Sequence, residues 1–188
     1  DIGSTLGSIS IYSEVAMLSE RDQQMEVLKK MGESSREMLE KLNDIVWSIN
    51  PENDTLEKLE IRIRNYANIV GSTTGIQMNW KFEVSDGEHI IPMKLRRCVY
   101  LIFKEAMHNI IKYAGCRNVF FSLQLKGKLL AMEIEDDGKG FDPSNLQAYN
   151  GNGIRNMRER VKESGGRIVL ESEPGKGTRI HVSLPLKS

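Results

Sequence analysis

The chain has 188 residues, enough for a sizeable core and for one or two domains. Its 26 Lys and Arg balance 26 Asp and Glu, so net charge steers it toward neither nucleic acid nor anionic lipid. Cys98 and Cys116 lack metal-ligand spacing, so a reduced, intracellular setting is expected. No run is long and apolar enough to span a bilayer, and no signal peptide is visible.

Over residues 1–16 apolar side chains recur at Ile2, Leu6, Ile9 and Ala16, with Ser13 at the remaining seam position. This alternating spacing belongs to a helix packed along a partner. The chain opens without Met inside that pattern and is expected to be a piece of a longer protein. After a polar turn at 18–22, Leu28, Met31, Ser35, Met38, Leu42, Ile45 and Ile49 keep the spacing until Pro51 ends the helix. Residues 1–50 are thus predicted to form an antiparallel helical hairpin. A hairpin alone buries little area, so two copies are expected to form a four-helix dimer; the alternative is a hairpin packed on its own domain.

Residues 47–54, Trp-Ser-Ile-Asn-Pro-Glu-Asn-Asp, read as the connection between domains, with the linker proper at 51–55 and a second domain at 56–188. Asp54 and Glu57 have the spacing of a capping box. Leu56, Leu59, Ile63, Tyr66, Ala67 and Val70 predict a helix ending near Gly71 or Gly75. Met78, Trp80, Phe82 and Val84 alternate as in a strand, closed by Ser85-Asp86-Gly87. Pro92 suits a first helical position, and Leu95, Val99, Ile102, Ala106 and Ile110 form the buried face of the helix that follows. Beside that face Glu105, Asn109 and Lys112 cluster within about 60° of arc. His108 is read as turned away from both and solvated. Strands at 118–125 and 130–134 form a hairpin around Lys126-Gly127-Lys128.

The second strand of that hairpin runs into Asp136-Asp137-Gly138-Lys139-Gly140, and a second glycine pair, Gly151 and Gly153, opens a helix. Gly165-Gly166 stops it, and a last hairpin, with Ile168, Leu170, Ile180, Val182 and Leu184 inside, surrounds residues 173–177. The whole is predicted to be α+β: the helical hairpin, then an α/β sandwich whose helices cover one face of a mixed, mostly antiparallel sheet. Glycines admit close backbone approach, and amides at a helix start attract phosphate. Asp136 is placed to accept from a ligand amine, so the pattern reads as a purine nucleotide held at its base by Asp136 and at its phosphates near Gly153. An acid, a carboxamide and an amine in one column are, on an isolated helix, the pattern of a solvated edge; a magnesium-bound triphosphate wants the same set.

These segments resemble the sensor histidine kinases of bacterial two-component systems, whose ATP-binding fold is shared with gyrase, Hsp90 and MutL. Residues 105–114 resemble the N box, 136–140 the G1 box, 151–154 the G2 box and 175–178 a G3 motif. Residues 1–6 resemble the start of the dimerisation hairpin in the subclass with a His followed by an acidic residue.

The resemblance implies ATP and Mg²⁺ as cofactors. Asn109 would coordinate Mg²⁺, Glu105 would orient that site or polarise its water, and Lys112 would contact phosphate. Asp136 would bind the adenine amine, and Gly138 and Gly140 would let the backbone near the nucleotide. Gly151 and Gly153 would shape a short lid (141–151) and the phosphate-facing helix start, with Thr178 supporting the adenine end. It further implies a homodimer, a response regulator receiver domain as partner, and a cytoplasmic place within a membrane-anchored sensor. The phosphoacceptor His is missing from the hairpin, since the three histidines are His89, His108 and His181; it is expected just upstream of Asp1, leaving this chain unable to phosphorylate itself. The alternative is a dimeric nucleotide-binding scaffold without phosphotransfer. An ATP-driven clamp of the gyrase or Hsp90 type and a Ser kinase of the anti-sigma type fit the short lid and the long hairpin less well.

Overall fold

A computed structural model describes residues 2–84, 89–143 and 152–186. The predicted turn at Ser85-Asp86-Gly87, most of the lid and Gly151 lie outside the described residues. The chain divides into two compact units, Asp1–Asn50 and Pro51–Ser188.

The first unit is a helical hairpin of α1 (Ile2–Leu18) and α2 (Arg21–Ile49). Its turn is fastened by Gln24 Nε2 donating to the Ala16 carbonyl at 3.0 Å and Ser19 Oγ donating to that of Val15 at 2.7 Å. Ala16 is buried and Ile9, Met31, Ser35, Met38 and Ile45 are half-buried, whereas Leu6, Ser13, Leu28, Leu42 and Ile49 remain exposed. The two helices cover only part of the stripe read from the sequence.

The second unit begins with a 3₁₀ turn, Pro51–Asn53, and α3 (Leu56–Thr74). Residues 51–55, read as a linker, are bound into this unit. Ile91 donates its N–H to the Asp54 carbonyl at 2.6 Å, Leu56 donates to that of His89 at 3.0 Å, and Thr55 bridges Ile90. The Asp54 carboxylate pairs with the fully buried guanidinium of Arg96. That contact displaces the predicted capping box. The cap is Thr55, whose Oγ1 accepts from Lys58 N–H at 3.3 Å. α3 buries Leu56, Leu59, Ile63, Ala67 and Val70 as read, and stops at Gly75, which is left-handed at φ 75°.

β1 (Gln77–Val84) is followed by α4 (Met93–Asn109), with Pro92 as its N-cap, one position earlier than predicted. A proline lacks the N–H that either position would leave unpaired. α4 serves as the crossover between β1 and β2 (Asn118–Lys126), which pair in parallel. β3 (Leu129–Asp136), α5 (Gly153–Glu163), β4 (Arg167–Ser172) and β5 (Thr178–Pro185) complete the unit. The sheet order is β1-β2-β3-β5-β4, antiparallel from β2 onward. The α+β class and the mixed, mostly antiparallel sheet are as read.

Period-2 alternation sends Val119, Phe121, Leu123, Leu130, Met132, Ile134, Ile180 and Val182 under the helices, where all are buried. Phe103 of α4 meets Phe121 edge-on, with ring centres 5.2 Å apart. On the opposite sheet face Arg179 pairs with Glu135 (2.6 Å) and Glu133 (3.2 Å), and His181 is exposed. α5 runs antiparallel to α4: the Lys94 ammonium donates to the Glu163 carbonyl, and Gly153 lies against Glu105.

Candidate nucleotide site

The C-terminal end of α4, the end of β3, the loop behind it and the start of α5 enclose a cavity of about 440 Å³, the size of a small-molecule site. Glu105, Asn109, Lys112, Asp136, Gly140, Gly153 and Thr178 all line it. Gly138 does not, and Gly151 lies outside the described residues.

α4 changes character at its functional end. Residues Ile110–Ala114 wind as a π-helical turn before Gly115 takes a left-handed φ of 60°. Such turns are rare in helices and recur at functional sites. Glu105 and Asn109 sit on the regular part, Lys112 on the π turn. Neither Glu105 nor Asn109 makes a side-chain hydrogen bond among the described residues, although both are half-buried. Their oxygens are available to a ligand. His108 is exposed, as read, but it also lies on the cavity wall: residues three apart on a helix remain neighbours, and Glu105 is its neighbour.

The two adjacent carboxylates of the glycine loop have separate tasks. Asp137 Oδ1 accepts from the N–H groups of Arg117 (2.8 Å) and Asn118 (2.9 Å), and its Oδ2 from Asn118 Nδ2 (2.8 Å). The Asn118 donors foremost hold its carboxyl below the usual carboxylate range. It anchors the start of β2. Asp136 is 5% exposed on the cavity wall, and burial pushes its carboxyl above the usual range, offset in part by the N–H groups of Gly138 and Thr178. Gly138 N–H donates to Asp136 Oδ1 at 2.9 Å. Burial, with the Asp136 and Asp137 carboxylates, also pushes the Cys116 thiol up to about 11, so it is no nucleophile near neutrality.

Backbone contacts join the glycine loop to the last hairpin. Lys139 N–H donates to Ala114 O (2.9 Å), and Gly175 N–H to Lys139 O (2.7 Å). Gly177 is left-handed at φ 75°, and a Cβ there would fall on the Asp136 carbonyl oxygen. A Cβ at Gly138 would press on the Ala114 carbonyl. These glycines are therefore demanded by protein packing around Asp136, independently of any ligand. Ser172 Oγ fastens the same corner, accepting from Phe141 N–H (2.9 Å), donating to Gly177 O (2.9 Å) and meeting Thr178 Oγ1 at 3.0 Å. At the other end, a Cβ on Gly153 would collide with the Glu105 carboxylate, so glycine lets α5 start beside that acid.

Sequence reasoning missed the apolar wall. Ile134, Leu170 and Ile180 line the cavity from the sheet and Met157 from α5; Tyr113, 41% exposed, adds a ring with Lys112 Nζ 5.1 Å from its centre. An aromatic beside the lysine at a helix end was the one available signal. Among the described residues, no group of three or more His, Cys, Asp or Glu side chains is placed to hold a metal alone.

Residues 94–188 match the family of histidine kinase-, DNA gyrase B- and HSP90-like ATPases, about half of the chain. The chain belongs to that family. Within it the chain is similar to sensor kinases. It is 29% identical over 177 residues to an uncharacterized sensor-like histidine kinase of Chloroflexus aurantiacus, covering 91% of this chain and 28% of that protein. It is 25% identical over 190 residues to the sensor histidine kinase YhcY of Bacillus subtilis, covering 100% of this chain and 48% of the relative. The chain thus spans less than half the length of these relatives.

Two solved structures share the fold. The histidine kinase domain of the blue-light activated histidine kinase from Erythrobacter litoralis EL346 superposes with a TM-score of 0.59 at 17% identity, covering 98% of this chain and 94% of that one. The Acinetobacter baumannii histidine kinase AdeS gives 0.61 at 10% identity, covering 98% and 96%. The cavity therefore belongs to an ATP-binding domain of the histidine kinase type. No helix among the described residues is long and apolar enough to cross a membrane.

Proposed function

We propose that this chain is the ATP-binding and dimerisation part of a sensor histidine kinase that works on Mg-ATP in the cytoplasm. The observation that carries the reading is one cavity with a buried carboxylate, Asp136, at one end and two oxygen-bearing side chains, Glu105 and Asn109, at the other, neither of which makes a side-chain hydrogen bond among the described residues. Asp136 accepts from the adenine amine. Tyr113, Ile134 and Ile180 flank the base, and Thr178 supports it through water. Gly140 and Gly153 bring backbone amides toward the nucleotide, and Lys112 neutralises phosphate charge.

Mg²⁺ fits this donor set: it takes hard oxygens, keeps several waters and commonly borrows its other ligands from phosphates, so no all-protein cage is required. When bound it offsets charge on the phosphates. Asn109 would hold it and Glu105 would orient that site. Positioning and charge neutralisation then supply most of the catalysis. In a parent of its relatives' length, the γ-phosphoryl passes to a His preceding Asp1 and then to an Asp of a response regulator, and the hairpins of two copies form the dimer. The exposed Leu6, Leu28, Leu42 and Ile49 support that pairing.

The test is titration of Asn109→Ala with an ATP analogue at rising Mg²⁺. The variant is expected to lose the tightening that Mg²⁺ gives the wild type; an affinity that still responds to Mg²⁺ places the metal elsewhere. For phosphotransfer, the chain extended upstream should take acid-labile label from γ-labelled ATP, and an extended chain that stays unlabelled favours the scaffold.

A further inference from the structure

We propose that Arg158 reads the terminal phosphate of the nucleotide and so sets the preference of this site for a triphosphate over a diphosphate; the inference rests on the nucleotide reading above. Among the described residues four formal cations line the cavity: Lys112, Lys139, Arg155 and Arg158. Three of them have other places or partners. Lys139 rides on the loop between Gly138 and Gly140, beside Asp136 and hence at the base end. Arg155 pairs with Glu159 at 3.4 Å on the exposed side of α5. Lys112, with its ammonium 5.1 Å from the centre of the Tyr113 ring, already has its place as the phosphate contact of the reading above. Arg158 is exposed on the cavity wall and makes no ion pair or side-chain hydrogen bond among the described residues.

Its position fits the far end of a polyphosphate. With the base at Asp136, the phosphates run toward Glu105 and Gly153, which touch. Arg158 lies five residues along α5 from Gly153, about 7.5 Å of rise. Helical side chains lean toward the N-terminus of their helix, so its long stem carries the guanidinium back toward the level of Gly153. There it adds a planar fork able to grip two phosphate oxygens, a geometry a lysine cannot supply. Among the described residues the acidic side chain on that wall is Glu105, whose charge a terminal phosphate would otherwise meet.

Calorimetry with a non-hydrolysable ATP analogue and with ADP, each with Mg²⁺, tests this on the whole chain. Arg158→Ala is expected to lose about tenfold in affinity for the triphosphate while binding ADP within about twofold of wild type. Arg158→Lys should fall between, which also guards against a folding artefact in the alanine variant. Equal losses for both nucleotides, no loss for either, or the selective loss appearing in Arg155→Ala instead would overturn the assignment. A wild type that binds neither nucleotide removes the reading of the whole site, and this assignment with it.

Discussion

Leu59, Ile63, Ile102, Phe103, Phe121 and Val182 of the ATPase unit are fully buried, whereas Leu6, Leu28, Leu42 and Ile49 of the helical hairpin remain 36–56% exposed. Both units come from equally regular apolar patterns. Among the described residues of the ATPase unit three α-helices and five strands close over one another, so period-3.6 and period-2 stripes find partners within the chain. The two helices of the hairpin bury only part of their stripe against each other. Fully burying a leucine contributes about 1.5–3 kcal/mol, so four half-covered positions leave a substantial driving force for a second copy. A covered stripe has done its work in folding; the uncovered one is where the proposed pairing is to be tested.

The sharpest way to break that contrast is Leu42→Asp, which sets a charge in the proposed seam and should weaken pairing by several kcal/mol. Sedimentation equilibrium should show the mass of one chain in place of two, with the melting of the ATPase unit unchanged. A mass equal to wild type removes the hairpin as the interface.

Inside the ATPase unit, Gly177→Ala should destabilise by about 3 kcal/mol, because a Cβ there meets backbone that cannot yield. Gly175→Ala has the same left-handed strain but open space around it, and should cost about 1 kcal/mol. Denaturant unfolding of the pair separates clash from strain, and equal losses would sink the claim that the Gly177 corner is built around Asp136.

Asp136→Asn should weaken adenine nucleotide binding about ten- to a hundredfold. Its effect on stability has the opposite sign. A carboxyl raised above its unfolded value binds more protons when folded, so its contribution to stability falls as pH rises from the unfolded value through the folded one, and stays reduced above it. The asparagine variant, which does not ionise, should therefore gain relative to wild type between pH 4 and pH 7. Melting curves at the two values check this; a relative loss on going to pH 7 contradicts the buried-carboxylate account. The smallest effect is at the start of α3. Thr55→Ala should cost about 1 kcal/mol as a lost cap, while Glu57→Ala should change little, since no capping box forms.

Much of the ATPase unit was legible because burial imposes a period on the sequence. The faces of α3 and α4, both hairpins and the arrival of Asp136 at a glycine loop follow from alternation alone. What was not legible depended on contacts distant in sequence. Asp54 was free to be a cap until Arg96, on another helix, claimed it. The π turn at Ile110–Ala114 has no propensity signature, so the column from Glu105 to Lys112 was drawn on a regular helix that does not extend that far. Asp136 and Asp137 are chemically alike in sequence, and only the Asn118 and Arg117 donors distinguish anchor from cavity wall. Gly138 and Gly177 were visible as glycines, but their reason, backbone pressed against backbone, required the fold.

The most direct test of the central claim, one cavity reading a base at Asp136 and phosphates beside Asn109, is a calorimetric titration of the chain with ATP and GTP analogues, with and without Mg²⁺. The account predicts saturable binding of one nucleotide per chain, selective for adenine and tightened by Mg²⁺. Binding that is indifferent to the base, or no binding at all, would contradict it.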